Sequence, residues 1–313
     1  MSEEPARDDA WSSWLLRRRH GEDPQYGEVV ARVVRGYADR VLDQARLVPG
    51  MTLVDVGSGD GLLAFRAIER VGPSLHLLLT DISAPLLRHA RSRAAELRVE
   101  GQCRFLEGSA ERLAGIDDAS VDAVVARASI AYVRDKRAAF GECLRVLKPG
   151  GRLSIGEPIL QDEAFAARAL RTRVEGQSGQ PADLFLALMH RWKSAQFPDT
   201  AEACADNPLV NFSERDLLHL ARGAGFCDIH LELHIDVAPS PIRSWDVFLA
   251  SSPHPWAPSL GSILMERFSP DERRFFEANV RPTVESGRNI HIERIVYLTA
   301  NKPAAADTAD RPR

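Results

Sequence analysis

The sequence predicts an α/β fold: a parallel sheet with helices on both faces and helical additions outside it. Three observations carry that prediction. A buried-strand pattern at residues 52–56 (Leu53, Val54, Val56) runs directly into glycines at 57, 59 and 61, after which residues 62–71 read as a helix. From Met51 to Pro158 strand-like and helix-like segments alternate with short links. Residues 1–48, 159–212 and 238–289 break this rhythm and read as additions to the sheet.

The elements follow in order. The first strand is 52–56. The second, 75–80, ends at Asp81; Ser83 then caps a helix with Pro85 in its first turn, running towards Arg98. Residues 104–107 form a short third strand and 121–126 the fourth. A helix over about 135–147 is stopped by Pro149-Gly150-Gly151, and strand five, 152–156, ends near Glu157-Pro158. Residues 159–212 read as helical, with Leu184, Leu186, Leu188 and Trp192 as apolar positions. Ser213-Glu214-Arg215-Asp216 opens a capped helix that ends at 223–225. Strands six and seven are 228–237 and 290–300. Between them Ser269-Pro270-Asp271-Glu272 starts a helix over 270–284.

The resulting organisation is an N-terminal helical cap (1–48), a core (49–158), a helical insertion (159–212) and a core helix with strand six (213–237). A second insertion (238–289), strand seven (290–302) and a disordered tail rich in Ala, Asp and Pro (303–313) follow. In a doubly wound sheet ligands bind outside the carboxyl ends of the parallel strands. The segment after strand five leaves from that edge. If strand seven is antiparallel, 238–289 leaves and returns there too, and the two insertions converge over the glycine loop as a lid.

Bulk properties narrow the function. The 313 residues are 44% hydrophobic and 27% charged, with a net charge of −4, a balance that offers no general attraction to nucleic-acid backbones or anionic membranes. No apolar run is long enough for a signal peptide or a membrane helix. Cys103, Cys143, Cys204 and Cys227 are far apart and form no metal spacing, which fits reduced thiols in the cytoplasm.

The glycine loop points to a ligand held against backbone. The dinucleotide fingerprint G-x-G-x-x-G needs a glycine at 62, where the chain has Leu62. Gly57, Gly59 and Gly61, with Asp55 two places before the first, point away from NAD and towards S-adenosylmethionine (SAM).

Five stretches carry a resemblance to the class I SAM-dependent methyltransferases. They are 53–61, Asp81, Gly108-Ser109-Ala110-Glu111, Val121-Asp122-Ala123-Val124-Val125 and 147–153, with Ala224-Gly225-Phe226 as weaker support. The resemblance covers about residues 50–158 and implies a Rossmann-like seven-stranded sheet whose last strand is antiparallel. It implies SAM lying over strands one, two and four, held by the loop from Asp55 through Gly57, Ser58 and Gly59. Asp81 would accept from both ribose hydroxyls, Ile82 would pack on the adenine face, and Ser109 and Ala110 would lie at the adenine edge. The backbone at Arg127 would lie near the methionine end. Many relatives carry an acid where this chain has Ser109, so the adenine amino group meets a weaker acceptor here.

Methyl transfer by in-line displacement needs an acceptor held about 3–3.5 Å from the methyl carbon with water excluded. No metal is required. Glu157, after strand five, is the leading candidate for base or acceptor anchor; Arg127 and Tyr132, after strand four, are candidates for acceptor contact. His20, Tyr26, His190 and His291 are weaker candidates, with an ordinary structural role favoured for the histidines. Arg17-Arg18-Arg19 reads as a solvated face. Trp11, Trp14, Trp192, Trp245 and Trp256 lie outside the sheet, either lining an acceptor pocket or holding the cap to the core. The partner implied is a small-molecule acceptor of bacterial specialised metabolism, with no nucleic acid and no membrane; a homo-oligomer stays open. Two alternatives remain: an NAD(P)-dependent oxidoreductase on a similar sheet, or a SAM-fold protein that transfers no methyl group, such as a cyclase, a decarboxylase or a binding partner.

Overall fold

A computed structural model describes residues 8–177 and 183–304; most of the predicted C-terminal tail lies outside the described residues. In chain order the elements are α1 (Ala10–Leu16), a 3-10 turn (Arg18–His20), α2 (Pro24–Ala45), β1 (Thr52–Val56), α3 (Leu62–Val71), β2 (His76–Asp81) and α4 (Ala84–Glu96). β3 (Cys103–Glu107), β4 (Val121–Arg127), α5 (Lys136–Val146) and β5 (Leu147–Pro158) complete the first half. The second half holds α6 (Gln161–Glu175), α7 (Leu184–Gln196), α8 (Ala201–Asp206), α9 (Glu214–Ala224) and β6 (Cys227–Pro239). It ends with α10 (Trp245–Ala250), α11 (Leu260–Arg267), α12 (Pro270–Glu285) and β7 (Ile290–Asn301).

The seven strands form one sheet in the order β3-β2-β1-β4-β5-β7-β6. β1 pairs in parallel with β2 and β4, and β7 runs antiparallel to both β5 and β6. Alternate side chains of a strand face opposite sides, so each strand feeds two cores. Val54, Val124 and Leu153 join Phe140 of α5 and Leu217 of α9 on one face. Leu53, Ala123 and Val125 join Val41 of α2, Ala64 of α3 and Ala90 of α4 on the other. Removing a buried Val or Leu side chain from water contributes about 1.5–3 kcal/mol, so these two layers dominate stability.

Helix starts obey local chemistry. Ser83 accepts from the Leu86 N–H, and Ser213 with Asp216 and Ser269 with Glu272 form reciprocal capping boxes. Two features depart from the sequence reading. Leu147 is extended rather than helical and pairs with Val121; pairing resumes at Arg152 with Ala123 after a bulge at 148–151, so β5 is longer than predicted. The N-terminal segment divides in two. Only α1 and the 3-10 turn sit over the carboxyl edge of the strands, whereas α2 buries Val34, Ala38, Val41, Leu42 and Ala45 and serves as a layer on the sheet. The Ser154 hydroxyl fixes it by donating to the Val41 carbonyl, 2.7 Å.

The two insertions meet in a third apolar cluster, where Leu188 of α7 packs with Trp245, Leu260, Ile263, Phe268 and Phe276. β6 ends and β7 begins at one edge, closed by the Ser240 N–H to Asn289 carbonyl bond, 2.7 Å. No described helix is long and apolar enough to cross a membrane.

Candidate active site

A cavity of about 290 Å³ lies at the carboxyl ends of β1 to β4. The loops after those strands form its floor and sides, and Trp11, Trp14 and Leu15 of α1, with Arg19 of the 3-10 turn, form its front. A larger hollow of about 560 Å³, bordered by Arg46, Arg152, Asp228 and Asn301, lies where β5 and β6 begin. That is the opposite end of the sheet from the ligand edge of doubly wound folds.

The glycine loop is shaped first by its own chain. Gly57 has φ +67°, and a Cβ there would come within 2.3 Å of the Ser129 Cβ; Gly59 has φ +55°, and a Cβ would meet the Leu15 side chain at 3.0 Å. Close passage against the β4 turn therefore demands glycine at 57, and the left-handed backbone favours it at 59, before any ligand is considered. Ser129 is immobile because its hydroxyl donates to the Val56 carbonyl, 2.7 Å. We expect Gly57→Ala to destabilise the fold by about 2 kcal/mol through overpacking and a left-handed backbone, measured by urea unfolding.

Three buried polar groups line the cavity near this loop. Asp55 is 1% exposed; one carboxylate oxygen accepts from the Ala64 N–H (3.2 Å), while Oδ1 is buried with no partner among the described residues. The buried Ser58 Oγ is likewise unpartnered. Asp81 accepts from Gly59 N–H and from Ser83 N–H, each at 2.8 Å, one per oxygen. Burial raises its pKa, and the neighbouring Asp9 of the cap adds to the rise.

Burial pushes the Asp55 pKa up to about 7. An unfolded aspartate titrates near ~4, so between the two values the native state holds more protons than the unfolded state. The Asp55 contribution is thus full below about 4 and is lost as pH rises through about 7. The ligand-free Asp55→Asn variant is therefore expected to gain in Tm relative to the unsubstituted protein between pH 5 and pH 8; a constant difference would refute the assignment.

Among the other predicted residues, Ile82 (52% exposed), Ser109, Ala110, Arg127 and Tyr132 also line the cavity. Ser109 uses its hydroxyl to accept from the Glu111 N–H, 3.1 Å. Tyr132 packs edge-on against Trp11 (5.0 Å) and Trp256 (5.4 Å), and burial raises its pKa, so its phenol stays protonated. Glu157 does not reach the cavity. It is fully buried, and its carboxylate accepts from the Ser129 N–H (3.3 Å) and the Ala131 N–H (2.9 Å), with burial raising its pKa to about 7. The leading candidate for base is a brace for the β4 turn.

The weaker candidates divide. His190 pairs with Asp199 (2.7 Å), His20 approaches the Leu16 carbonyl (3.1 Å), and His291 is exposed beside Glu293. Trp192 meets Phe248 edge to face and Trp245 lies tilted against it inside the insertions, away from the cavity. Arg19 is the residue that sequence reasoning missed. Arg17 pairs with Asp8, and Arg18 donates to the Pro255 carbonyl (3.0 Å), but Arg19 lies over the Trp14 ring (5.4 Å) and faces the cavity. Desolvation, with Arg127 nearby, lowers its pKa to about 10. No group of three or more His, Cys, Asp or Glu among the described residues is placed to hold a metal.

The family model described as a methyltransferase domain matches residues 47–194. The matched segment, which carries β1 to β5, is similar to a methyltransferase domain. The chain is 38% identical over 121 residues to the ubiquinone/menaquinone biosynthesis C-methyltransferase UbiE of Bradyrhizobium diazoefficiens, covering 39% of this chain and 47% of that protein. It is 32% identical over 115 residues to an arsenite methyltransferase of Halobacterium salinarum, covering 37% and 29%. The chain thus spans less than half the length of these curated relatives. The crystal structure of the YcgJ protein from Bacillus subtilis superposes with a TM-score of 0.55 at 16% identity, covering 86% of this chain and 99% of that one, a likeness of fold. The methyltransferase-domain match favours the SAM reading over the nicotinamide alternative, in line with Leu62 at the third fingerprint position.

Proposed function

We propose that the protein binds SAM in the cavity over β1, β2 and β4 and transfers its methyl group to a small-molecule acceptor. The observation that carries this reading is the set of polar groups in the cavity: two buried oxygens, Asp55 Oδ1 and Ser58 Oγ, lack partners among the described residues, and the Asp81 carboxylate lies beside them. Buried polar atoms are rarely left unpaired, and these oxygens suit a ligand rich in hydroxyl and ammonium groups.

When bound, SAM supplies a sulfonium-activated methyl that passes in line to a nucleophile, the C–S electron pair returning to sulfur. Asp81 would take the ribose hydroxyls on the lone pairs its two backbone bonds leave free. Ile82 would lie on the adenine face, with Ser109 and Ala110 at its edge. Asp55, ionised beside an ammonium, and Ser58 would hold the methionine end with the Arg127 backbone. Tyr132 would border the acceptor and keep water out together with Trp11, donating a hydrogen bond from its protonated phenol. Arg127 would orient the acceptor from the β4 end. No cavity residue is committed to the role of base, so the acceptor would enter as a ready nucleophile.

The reading extends to a place in bacterial specialised metabolism and a cytoplasmic setting, supported by the α1 wall over the cavity and the widely spaced cysteines. Calorimetry with SAM, S-adenosylhomocysteine and NAD tests it. Binding of the first two is expected; tight NAD binding with no response to SAM would overturn it.

A further inference from the structure

Arg19 and Arg127 both line the cavity, one from the cap and one from the end of β4. Neither has an ion pair or hydrogen bond from its guanidinium among the described residues, in contrast to Arg66, Arg93 and Arg145, each tied to a carboxylate. The nearness of the two cations is felt electrostatically, since Arg127 disfavours the charge on Arg19. Asp60 and Glu293 favour the charge on Arg19, and Arg127 favours ionisation of Asp55, yet no carboxylate among the described residues pairs directly with either guanidinium, so both are free to take up an anion. A guanidinium presents a planar fork of N–H groups matched to a carboxylate or phosphate.

We propose that this pair is the specificity subsite of the acceptor, and that the acceptor is an acid, carboxylate or phosphate, on an apolar or aromatic body. The proposal rests on the methyl-transfer reading above. SAM itself carries one carboxylate, which neutralises at most one of the two guanidiniums, and its sulfonium adds positive charge at the same end. Asp55, Asp60, Asp81 and Glu111 also line the cavity but bond neither guanidinium among the described residues, so one N–H fork stays free for an acid group on the acceptor. The body is set by the wall beside the arginines. Trp11 and Tyr132 meet edge to face at 5.0 Å, and the Trp14 ring carries Arg19 at 5.4 Å. Together they offer flat apolar surface that ends in cationic groups. Arg19 would grip the acid group from the cap, and Arg127 would fix it against the strand end, so that the nucleophile is turned to the methyl group.

The test uses the full chain saturated with S-adenosylhomocysteine and three matched probe pairs: indole-3-acetate with indole-3-acetamide, phenylacetate with phenylacetamide, and phenyl phosphate with phenol. At least one acid is expected to bind roughly tenfold or more tightly than its neutral partner, as loss of a charge-assisted pair implies. Arg19→Gln should abolish that preference, and Arg19→Lys, which keeps charge but not the fork, should retain part of it. S-adenosylhomocysteine affinity should change less than about threefold in both variants. Equal binding of every acid and its neutral partner overturns the proposal. So does a tenfold or greater loss of S-adenosylhomocysteine affinity in Arg19→Gln, which would assign Arg19 to the carboxylate of the methyl donor. Absence of S-adenosylhomocysteine binding to the unsubstituted chain would instead bring down the methyl-transfer reading and this proposal with it.

Discussion

Replacing Asp81 with alanine is expected to weaken SAM binding roughly 100-fold, the loss of about 3 kcal/mol that two hydrogen bonds to a carboxylate represent. The expectation follows from what Asp81 already does without ligand. Its Oδ2 holds the Gly59 N–H and its Oδ1 holds the Ser83 N–H, each at 2.8 Å. The carboxylate therefore ties the glycine loop to the start of α4, and its geometry is fixed before a ribose arrives. Each oxygen keeps a second lone pair for a hydroxyl. Asp81→Asn keeps the shape but turns an amide N–H₂ towards one backbone N–H, and should fall between alanine and the unsubstituted protein. Calorimetric titration of SAM and S-adenosylhomocysteine measures both. Unchanged affinity in Asp81→Ala would mean that the cofactor lies elsewhere.

The second large effect is on folding. Glu157→Ala is expected to lower the unfolding free energy by about 4 kcal/mol, because the Ser129 and Ala131 N–H groups lose their acceptor inside the protein. Those groups belong to the turn that carries Ser129 against Gly57 and Tyr132 against Trp11. Glu157→Gln keeps one acceptor oxygen and should lose less. Urea unfolding of both variants, read alongside turnover at saturating SAM, separates a brace from a base. A stable Glu157→Gln protein with activity reduced by orders of magnitude would restore Glu157 to the chemistry.

What the sequence made legible was local. The glycine loop, Asp81 at the end of β2, and the Ser83, Ser213 and Ser269 caps each depend on residues within a few positions of one another. What stayed hidden depends on long-range packing. Glu157 is the last residue but one of β5, which reaches the ligand edge, yet the β4 turn, 26 and 28 residues earlier, takes both its oxygens. Gly57 reads as an opening for a ligand, while the obstacle that actually requires glycine is Ser129, far along the chain. The three adjacent arginines at 17–19 look alike in sequence. The tight 3-10 turn separates them, sending one to Asp8, one to carbonyls of the second insertion and one to the cavity. In α2 the apolar stripe Val34, Ala38, Val41, Leu42 and Ala45 signals a buried face, but nothing in its sequence says that a sheet, and not the cap, lies beneath it.

The front wall of the cavity has a further consequence, for the order of events in a catalytic cycle. Trp14 Nε1 donates to the Ser252 carbonyl (2.9 Å), the Ser252 N–H donates to the Arg18 carbonyl (3.1 Å), and Arg18 donates to the Pro255 carbonyl (3.0 Å). Stitched in this way, α1 cannot swing out without dragging the 250–257 strip, and that strip is continuous with the packed insertions. On the methyl-transfer reading, a cofactor and an acceptor that both pass this wall would share a single opening event, and its rate would set a ceiling on turnover.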